Sequence, residues 1–208
     1  MARAVLTVRD LDAAIAGGEI VVAHGTIVTP LALDEAARQN ITIKFEDLKP
    51  AGADAAPSRV VAVGADHGGY DLKEQLKKYL GEWGYTALDL GTSSREAVDY
   101  PDFAEAVANA VSRGDAWRGI VIDSAGIGSS IAANKVPGVR AALCYDRASA
   151  RNSREHNDAN VISLGAKLIS SEVAREIVAI WLAMPFAGGR HLRRVEKITG
   201  IESRNRKA

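Results

Sequence analysis

Side chains able to do chemistry gather at four short stretches of this chain. The first is Asp123 with Ser124-Ala125-Gly126-Ile127-Gly128-Ser129-Ser130 behind it. Asp123 stands where the apolar, β-branched run Ile120-Val121-Ile122 should end, and a helical pattern through Ile131, Ala132 and Ala133 follows the small residues. A strand, a small-residue turn and a helix start leave backbone N–H groups pointing out of the turn, which suits an anion. Open α/β sheets place their ligands at such strand tips. The second stretch, Asp66-His67 before Gly68-Gly69, also closes an apolar run; by itself it reads as a helix N-cap beside a surface histidine. The third, Arg154-Glu155-His156-Asn157-Asp158, is too polar for a core and by itself reads as a solvated helix end. The fourth holds Arg190, His191, Arg193 and Arg194. Arg190 and Arg194 are four apart, share a helix face and could grip one phosphate, with a basic surface as the alternative.

The elements that must carry these stretches follow from periodicity. Residues 1–46 read as a small unit: a helix over Val8–Ala16 capped by Thr7, a strand at Glu19–Val22, a helix opened by Thr29-Pro30, and a strand at Ile41–Phe45. Residues 47–58 have no periodicity and read as a linker. The main domain, 59–208, opens with a strand at Val60–Val63. A helix then carries Leu72, Leu76, Tyr79, Leu80 and Trp83, and Thr86–Leu90 is the next strand. Pro101 opens a helix through Val111, and Ile120–Ile122 is the central strand. Val139–Cys144 is a strand, Arg147–His156 a helix, Asn160–Leu164 a strand, Glu172–Met184 a helix, and Arg190–Asn205 a closing helix. Regular β-α alternation predicts an α/β fold: a Rossmann-like three-layer domain with a parallel sheet, plus a small N-terminal α+β extension.

Bulk properties narrow the class. The chain has 208 residues, enough for one good-sized core, and Lys plus Arg equal Asp plus Glu at 26 each. Zero net charge argues against a partner bound by bulk charge, whether nucleic acid or membrane surface. The single cysteine, Cys144, closes an apolar strand and reads as buried and inert, which excludes an internal disulfide and fits a reducing compartment. No span-length apolar run and no signal-peptide pattern occur, so a cytoplasmic location is expected. No Cys/His set has metal-ligand spacing, so neither a metal nor a cofactor is expected. His24 has no partner in sight and reads as structural.

Taken together, Gly-Ala-Asp-His-Gly-Gly-Tyr (64–70), Asp-Tyr-Pro (99–101), Gly-Ile-Gly-Ser-Ser-Ile-Ala-Ala-Asn-Lys (126–135), Ser-Arg-Glu-His-Asn-Asp (153–158) and Gly-Gly-Arg-His-Leu-Arg-Arg-Val (188–195) resemble type B ribose-5-phosphate isomerase, in the superfamily of the galactose-6-phosphate isomerase subunits. The resemblance covers about residues 59–205. It implies a homodimer or dimer of dimers that interconverts aldose and ketose phosphates of four to six carbons through an enediolate, with no metal. Carried over residue by residue, it implies that His156 opens the furanose ring and that Asp66, His67 and Tyr100 line the sugar site. Asn157 and the N–H groups of the loop at Ser124, Gly126 and Gly128 would hold the enediolate oxygens. Arg154, Arg190, His191 and Arg194 would bind phosphate, some from the neighbouring subunit.

Many members of that family carry a cysteine base where this chain has Asp123 and a threonine where it has Ala125; another branch uses a glutamate at the position of Ser129. The reading taken here makes Asp123 the enolising base, with a turn cap or an orienter of a sugar hydroxyl as the alternative. Epimerisation through the same enediolate, and a non-catalytic sugar-phosphate binder or partner subunit that has lost its base, are the competing functions. Separately, residues 25–37 are similar to short regions attached to bacterial microcompartment enzymes. That likeness implies a shell or cargo partner and a place inside a microcompartment, against a dimerisation or lid element.

Overall fold

A strand buried on both faces must be apolar along its whole length, and parallel strands need a crossover helix between them. The computed structural model describes residues 5–6, 11, 18–23, 26–46 and 59–205 and has two compact units, Met1–Ala51 and Gly52–Ala208; the second applies both rules.

In the first unit β1 (Val5–Leu6) pairs in parallel with β3 (Ile27–Val28), and β2 (Glu19–Ala23) with β4 (Thr42–Glu46). Helix α1 (Pro30–Arg38) starts where Thr29-Pro30 signals it, and the Thr29 hydroxyl accepts the Ala32 N–H at 3.2 Å. Leu6, Leu11, Val22, Ala32, Ala36 and Ile41 form its core. Apart from Leu11, the helix expected over 8–16 lies outside the described residues, as do the expected linker and His24.

The second unit runs β5 (Val60–Ala65), α2 (Tyr70–Glu82), β6 (Thr86–Asp89), α3 (Tyr100–Arg113), β7 (Arg118–Asp123), α4 (Ile127–Ala133), β8 (Ala141–Leu143), α5 (Arg147–Glu155), β9 (Val161–Gly165), α6 (Ser171–Ala183), a 3-10 turn (Gly189–His191) and α7 (Leu192–Asn205). All strand pairs are parallel and the order is β6-β5-β7-β9-β8. Alternate residues of the strands face two separate cores. Val61, Val63, Ile120, Ile122 and Ile162 meet α2, α5 and α6, with Trp181 fully buried among them. Ala62, Val121 and Val161 meet α3 and α4 through Ala104, Val107, Ala108 and Ala133. The chain leaves β5 towards β6 on one side and returns to β7 on the other. The crevice where an open sheet accepts a ligand therefore lies between the C-terminal tips of β5 and β7.

Local differences from the periodicity have physical causes. β5 continues through Gly64 and Ala65, which look like turn residues, because both pair with β7 opposite Val121 and Ile122. The closing helix begins at Leu192, since Gly188 and Gly189 take φ of 61° and 51° and lead into the 3-10 turn. β8 is only three residues long, and on its outer side the Asn134 amide takes a strand's place: Nδ2 donates to the Ala141 carbonyl at 2.8 Å and Oδ1 accepts the Ala141 N–H at 2.9 Å.

At the other end of the sheet Arg118 opens β7 and is buried. Its guanidinium donates to the carbonyls of Trp181, Leu182 (2.9 Å) and Met184 (3.3 Å), the C-terminus of α6, and lies over the rings of Trp117 and Trp181. Burial and the nearby Arg154 bring its pKa down to about 9, which leaves it charged at neutral pH. A cation at three carbonyls of a helix C-terminus is favourable, because those groups have no partner within the helix. Arg118→Leu strands them, and should cost about 2 kcal/mol or more in a denaturant titration. A loss under about 0.5 kcal/mol, the net value of a single ordinary hydrogen bond, would show that water replaces the guanidinium there.

Candidate active site

The loop after β7 is knitted together by its own carboxylate. Asp123 Oδ1 accepts the N–H of Ala125 at 2.7 Å and that of Gly126, while Oδ2 accepts the N–H of Ser129 at 2.9 Å. Burial pushes the Asp123 pKa up, but the Ser129 hydroxyl and these N–H groups outweigh it and hold the pKa below the ordinary carboxylate value. The rest of the loop is fixed from β9 and from the turn after β8: the Tyr145 hydroxyl donates to the Ala125 carbonyl at 2.7 Å and the Ser163 hydroxyl to the Gly126 carbonyl at 2.6 Å. Gly126 takes φ of 79°, where a Cβ would also strike Leu143 and the Leu164 backbone. Gly128 lies under Tyr100, whose ring would be about 2.5 Å from any Cβ there. The sequence specifies two glycines because two close approaches demand them.

This geometry changes the reading of Asp123. A base needs an oxygen free to take a proton, and three backbone donors already share this carboxylate. The turn-cap alternative describes it better than the base. The loop N–H groups divide likewise: that of Gly126 is turned inward onto Asp123, whereas those of Ile127 and Gly128, in the first turn of α4, are not used by it.

Asp66 sits one strand away, beyond the tip of β5. It is buried, and its Oδ1 accepts the Gly69 N–H at 3.0 Å. Among the described residues no protein donor holds Oδ2. A Cβ built on Gly68 would meet both Ser124 Oγ and Asp66 Oδ1, so hydroxyl and carboxylate flank the same glycine. His67 is exposed and its Nδ1 rests against the Val98 backbone, accepting that N–H at 3.3 Å. Asp66, His67, Tyr100, Asp123, Ser124, Gly126 and Gly128 therefore gather at the strand tips. The sequence reading missed Lys167, an exposed cation just past β9 whose N–H donates to the Ser124 carbonyl at 3.0 Å. It also missed Tyr145 and Ser163. Each is a single polar residue in an otherwise unremarkable stretch, and only the fold shows what it touches.

The remaining site residues stand at the opposite end of the sheet. Arg140, just before β8, donates from Nε to the Asn157 carbonyl at 3.2 Å, which ties Asn157 to the strand starts. The Ala187 N–H donates to the Glu155 carbonyl at 3.0 Å and brings the 3-10 turn alongside. The rings of His156 and His191 then stack with centroids 4.1 Å apart and 6° between planes. Arg190 Nε lies 3.4 Å from His191 Nε2. Desolvation lowers the His191 pKa, and the nearby His156, Arg190 and Arg194 lower it further. Arg190 and Arg194 are exposed and point a cationic face outward. Arg154, expected at the phosphate, is instead buried. It donates from Nη1 to Asp158 Oδ1 and the Ala159 carbonyl, both at 2.7 Å, and from Nε to the Met184 carbonyl. Its charge pins the turn that carries His156 and Asn157 to the end of α6.

Arg118 and Asp123 open and close the same strand, five rises of about 3.3 Å or roughly 17 Å apart. The two groups of site residues lie at these two ends, so one chain does not bring them to a common substrate atom.

A family model described as Ribose/Galactose Isomerase matches residues 61–198. Ribose-5-phosphate isomerase B of Escherichia coli is 46% identical over 144 residues, covering 69% of this chain and 97% of that protein. D-erythrulose-4-phosphate isomerase of Pectobacterium atrosepticum is 44% identical over 139 residues, 66% of this chain and 91% of that one. The solved structure of Clostridium thermocellum ribose-5-phosphate isomerase B superposes with a TM-score of 0.70 at 50% identity, over 71% of this chain and 99% of that one. The chain, in its second unit, belongs to the ribose/galactose isomerase family.

Proposed function

We propose that this chain interconverts the aldose and ketose forms of a phosphorylated sugar of four to six carbons through an enediolate, as a homodimer or a dimer of dimers. Joining the two ends carries this reading: the strand tips offer a buried carboxylate and unused N–H groups, and the other end offers a histidine, an amide and an exposed cationic face. General acid–base groups must lie within hydrogen-bond reach of one substrate, which a gap of roughly 17 Å forbids within one chain. A second copy, placed end against end, supplies the missing half. Exposed Ile127 and Ile131 beside the loop, and Leu192, Ile198 and Ile201 on α7, give both ends an apolar surface to bury in that contact.

In the assembled site Arg190 and Arg194 of one copy bind the phosphate dianion with Lys167 of the other. His156 gives a proton to the ring oxygen as its bond to C1 breaks, and the proton of the C1 hydroxyl returns through water to the imidazole, which leaves the open aldehyde and a restored ring. Asp66 takes the proton from C2 of the open aldose. Charge moves onto O1 and is held by the N–H groups of Ile127 and Gly128 and by the Asn157 amide. The O2 proton shifts to O1's side of the enediolate, and Asp66 returns its proton to C1 to give the ketose. Asp123 keeps the loop in shape and does not exchange a proton. The first unit holds none of these residues, and its role is assembly or encapsulation; a chain beginning at Arg59 should keep its turnover, and a loss of turnover in a folded chain would give the first unit a part in the site.

Two carboxylate variants separate the roles. Asp66→Asn keeps the acceptor for Gly69 and should slow the exchange of substrate protons with deuterated water by at least about 10²-fold without changing stability. Asp123→Asn turns an amide N–H₂ towards backbone donors and should cost about 2 kcal/mol of stability. Because the folded pKa of Asp123 is depressed, its contribution is complete above the ordinary value of 3.8 and is lost as the pH falls through the lowered one. The Asn variant should therefore show a flatter acid arm in its stability curve. Normal exchange in Asp66→Asn, together with a stably folded but inert Asp123→Asn, would return the base to Asp123.

The shared site is tested by mixing two inactive variants, Asp66→Asn and His156→Gln. Each hybrid dimer contains one site with both parental halves, so random re-association should restore about a quarter of parental turnover. No recovery after demonstrated subunit exchange would mean that each site is built from one chain.

A further inference from the structure

The geometry points to Asn152 as a positioning residue that sets the tautomer of His156 and aims Asn157. The inference rests on the isomerase reading above, in which these two side chains touch the sugar.

Asn152 lies on α5 one turn before His156, and the helix ends with the His156 N–H donating to the Asn152 carbonyl at 2.9 Å. The Asn152 side chain meets both neighbours. Its Nδ2 is 2.7 Å from His156 Nδ1, and its Oδ1 accepts from Asn157 Nδ2 at 3.5 Å. A carboxamide has one accepting and one donating end. If oxygen faces the Asn157 amide, nitrogen must face the imidazole, and His156 Nδ1 is then an acceptor without a proton. The neutral ring consequently carries its proton on Nε2. In that tautomer Nε2–H is the ring's one donor, the group that would face a sugar ring oxygen.

The stacked His191 ring covers one face of the imidazole and opposes its rotation, so the two contacts fix different degrees of freedom. The charged groups around the ring are Glu155, with Oε1 4.0 Å from Nε2, and Arg190 and Arg194 beyond His191. None of them contacts Nδ1. Asn152 alone, among the described residues, decides that nitrogen's role. The residue is exposed and polar on a helix surface, which explains why spacing alone marks it as nothing more than solvated.

The test reads the ring directly in the full-length protein. With labelled histidine, long-range proton–nitrogen correlation spectra assign the His156 tautomer, the signal being identified by its loss in His156→Gln. The parent should show a proton on Nε2 and a bare Nδ1. Asn152→Leu should give a mixture of tautomers and lower kcat/KM at least about tenfold with an unchanged melting temperature. Asn152→Asp accepts from Nδ1–H and should invert the tautomer outright, with a loss at least as large. A parent His156 protonated on Nδ1, or an Asn152→Leu protein with parental kcat/KM, overturns the assignment. The spectra need no substrate. A parent chain that exchanges protons with no sugar phosphate would sink the isomerase reading and, with it, any catalytic use of the tautomer, while Nδ1 would still report whether Asn152 sets it.

Discussion

Three backbone N–H groups converge on one carboxylate at the end of β7, and the order of the strand tips depends on that convergence. The N–H groups of Ala125 and Gly126 lie in the turn and that of Ser129 in the first turn of α4, where none has a partner within strand or helix, so they would be orphaned beneath the surface without Asp123. Asp123 takes three of the donors and leaves those of Ile127 and Gly128, in the first turn of α4, unused by it. The same stretch accepts the Tyr145 and Ser163 hydroxyls from the turn after β8 and from β9 and packs Gly128 against Tyr100.

The far end of the sheet is organised on the opposite charge. Arg118 and Arg154 both donate to the Met184 carbonyl, and Arg154 also holds Asp158, so two buried guanidiniums lock the end of α6 to the turn after α5. The paired histidines and the exposed arginines rest on that junction. Burying the two cations costs solvation, which several carbonyls and one carboxylate offset. The product is a rigid mount at the end of the sheet farthest from the loop.

The sequence made the alternation of strands and helices readable, because β-branched runs such as Ile120–Ile122 and helical spacings such as Leu72, Leu76 and Leu80 have one physical use each. The four chemical stretches were readable as well. What one of them does was not. Asp123 as base and Asp123 as cap demand the same residue at the same strand tip, and only the direction of the loop N–H groups separates them. Arg154 is assigned to the phosphate by the family resemblance, and its polar neighbours by themselves read as a solvated helix end; the carbonyls that bury it come from the turn after α5 and from the end of α6, thirty residues away. Lys167 and Asn152 have no pattern at all. Their positions follow from parallel β9 reaching the loop and from one helical turn ending in a histidine.

The Asn134 amide at the outer side of β8 has a consequence for how copies of this protein can meet. A parallel sheet with an open edge invites another strand, and that route leads to indefinite stacking. Here the outward N–H and carbonyl of Ala141 are already answered by a side chain of the same molecule, and the strand itself is too short to offer much more. Strand addition at Ala141 would have to displace the Asn134 amide first, so on that side the sheet presents a capped edge in place of a template.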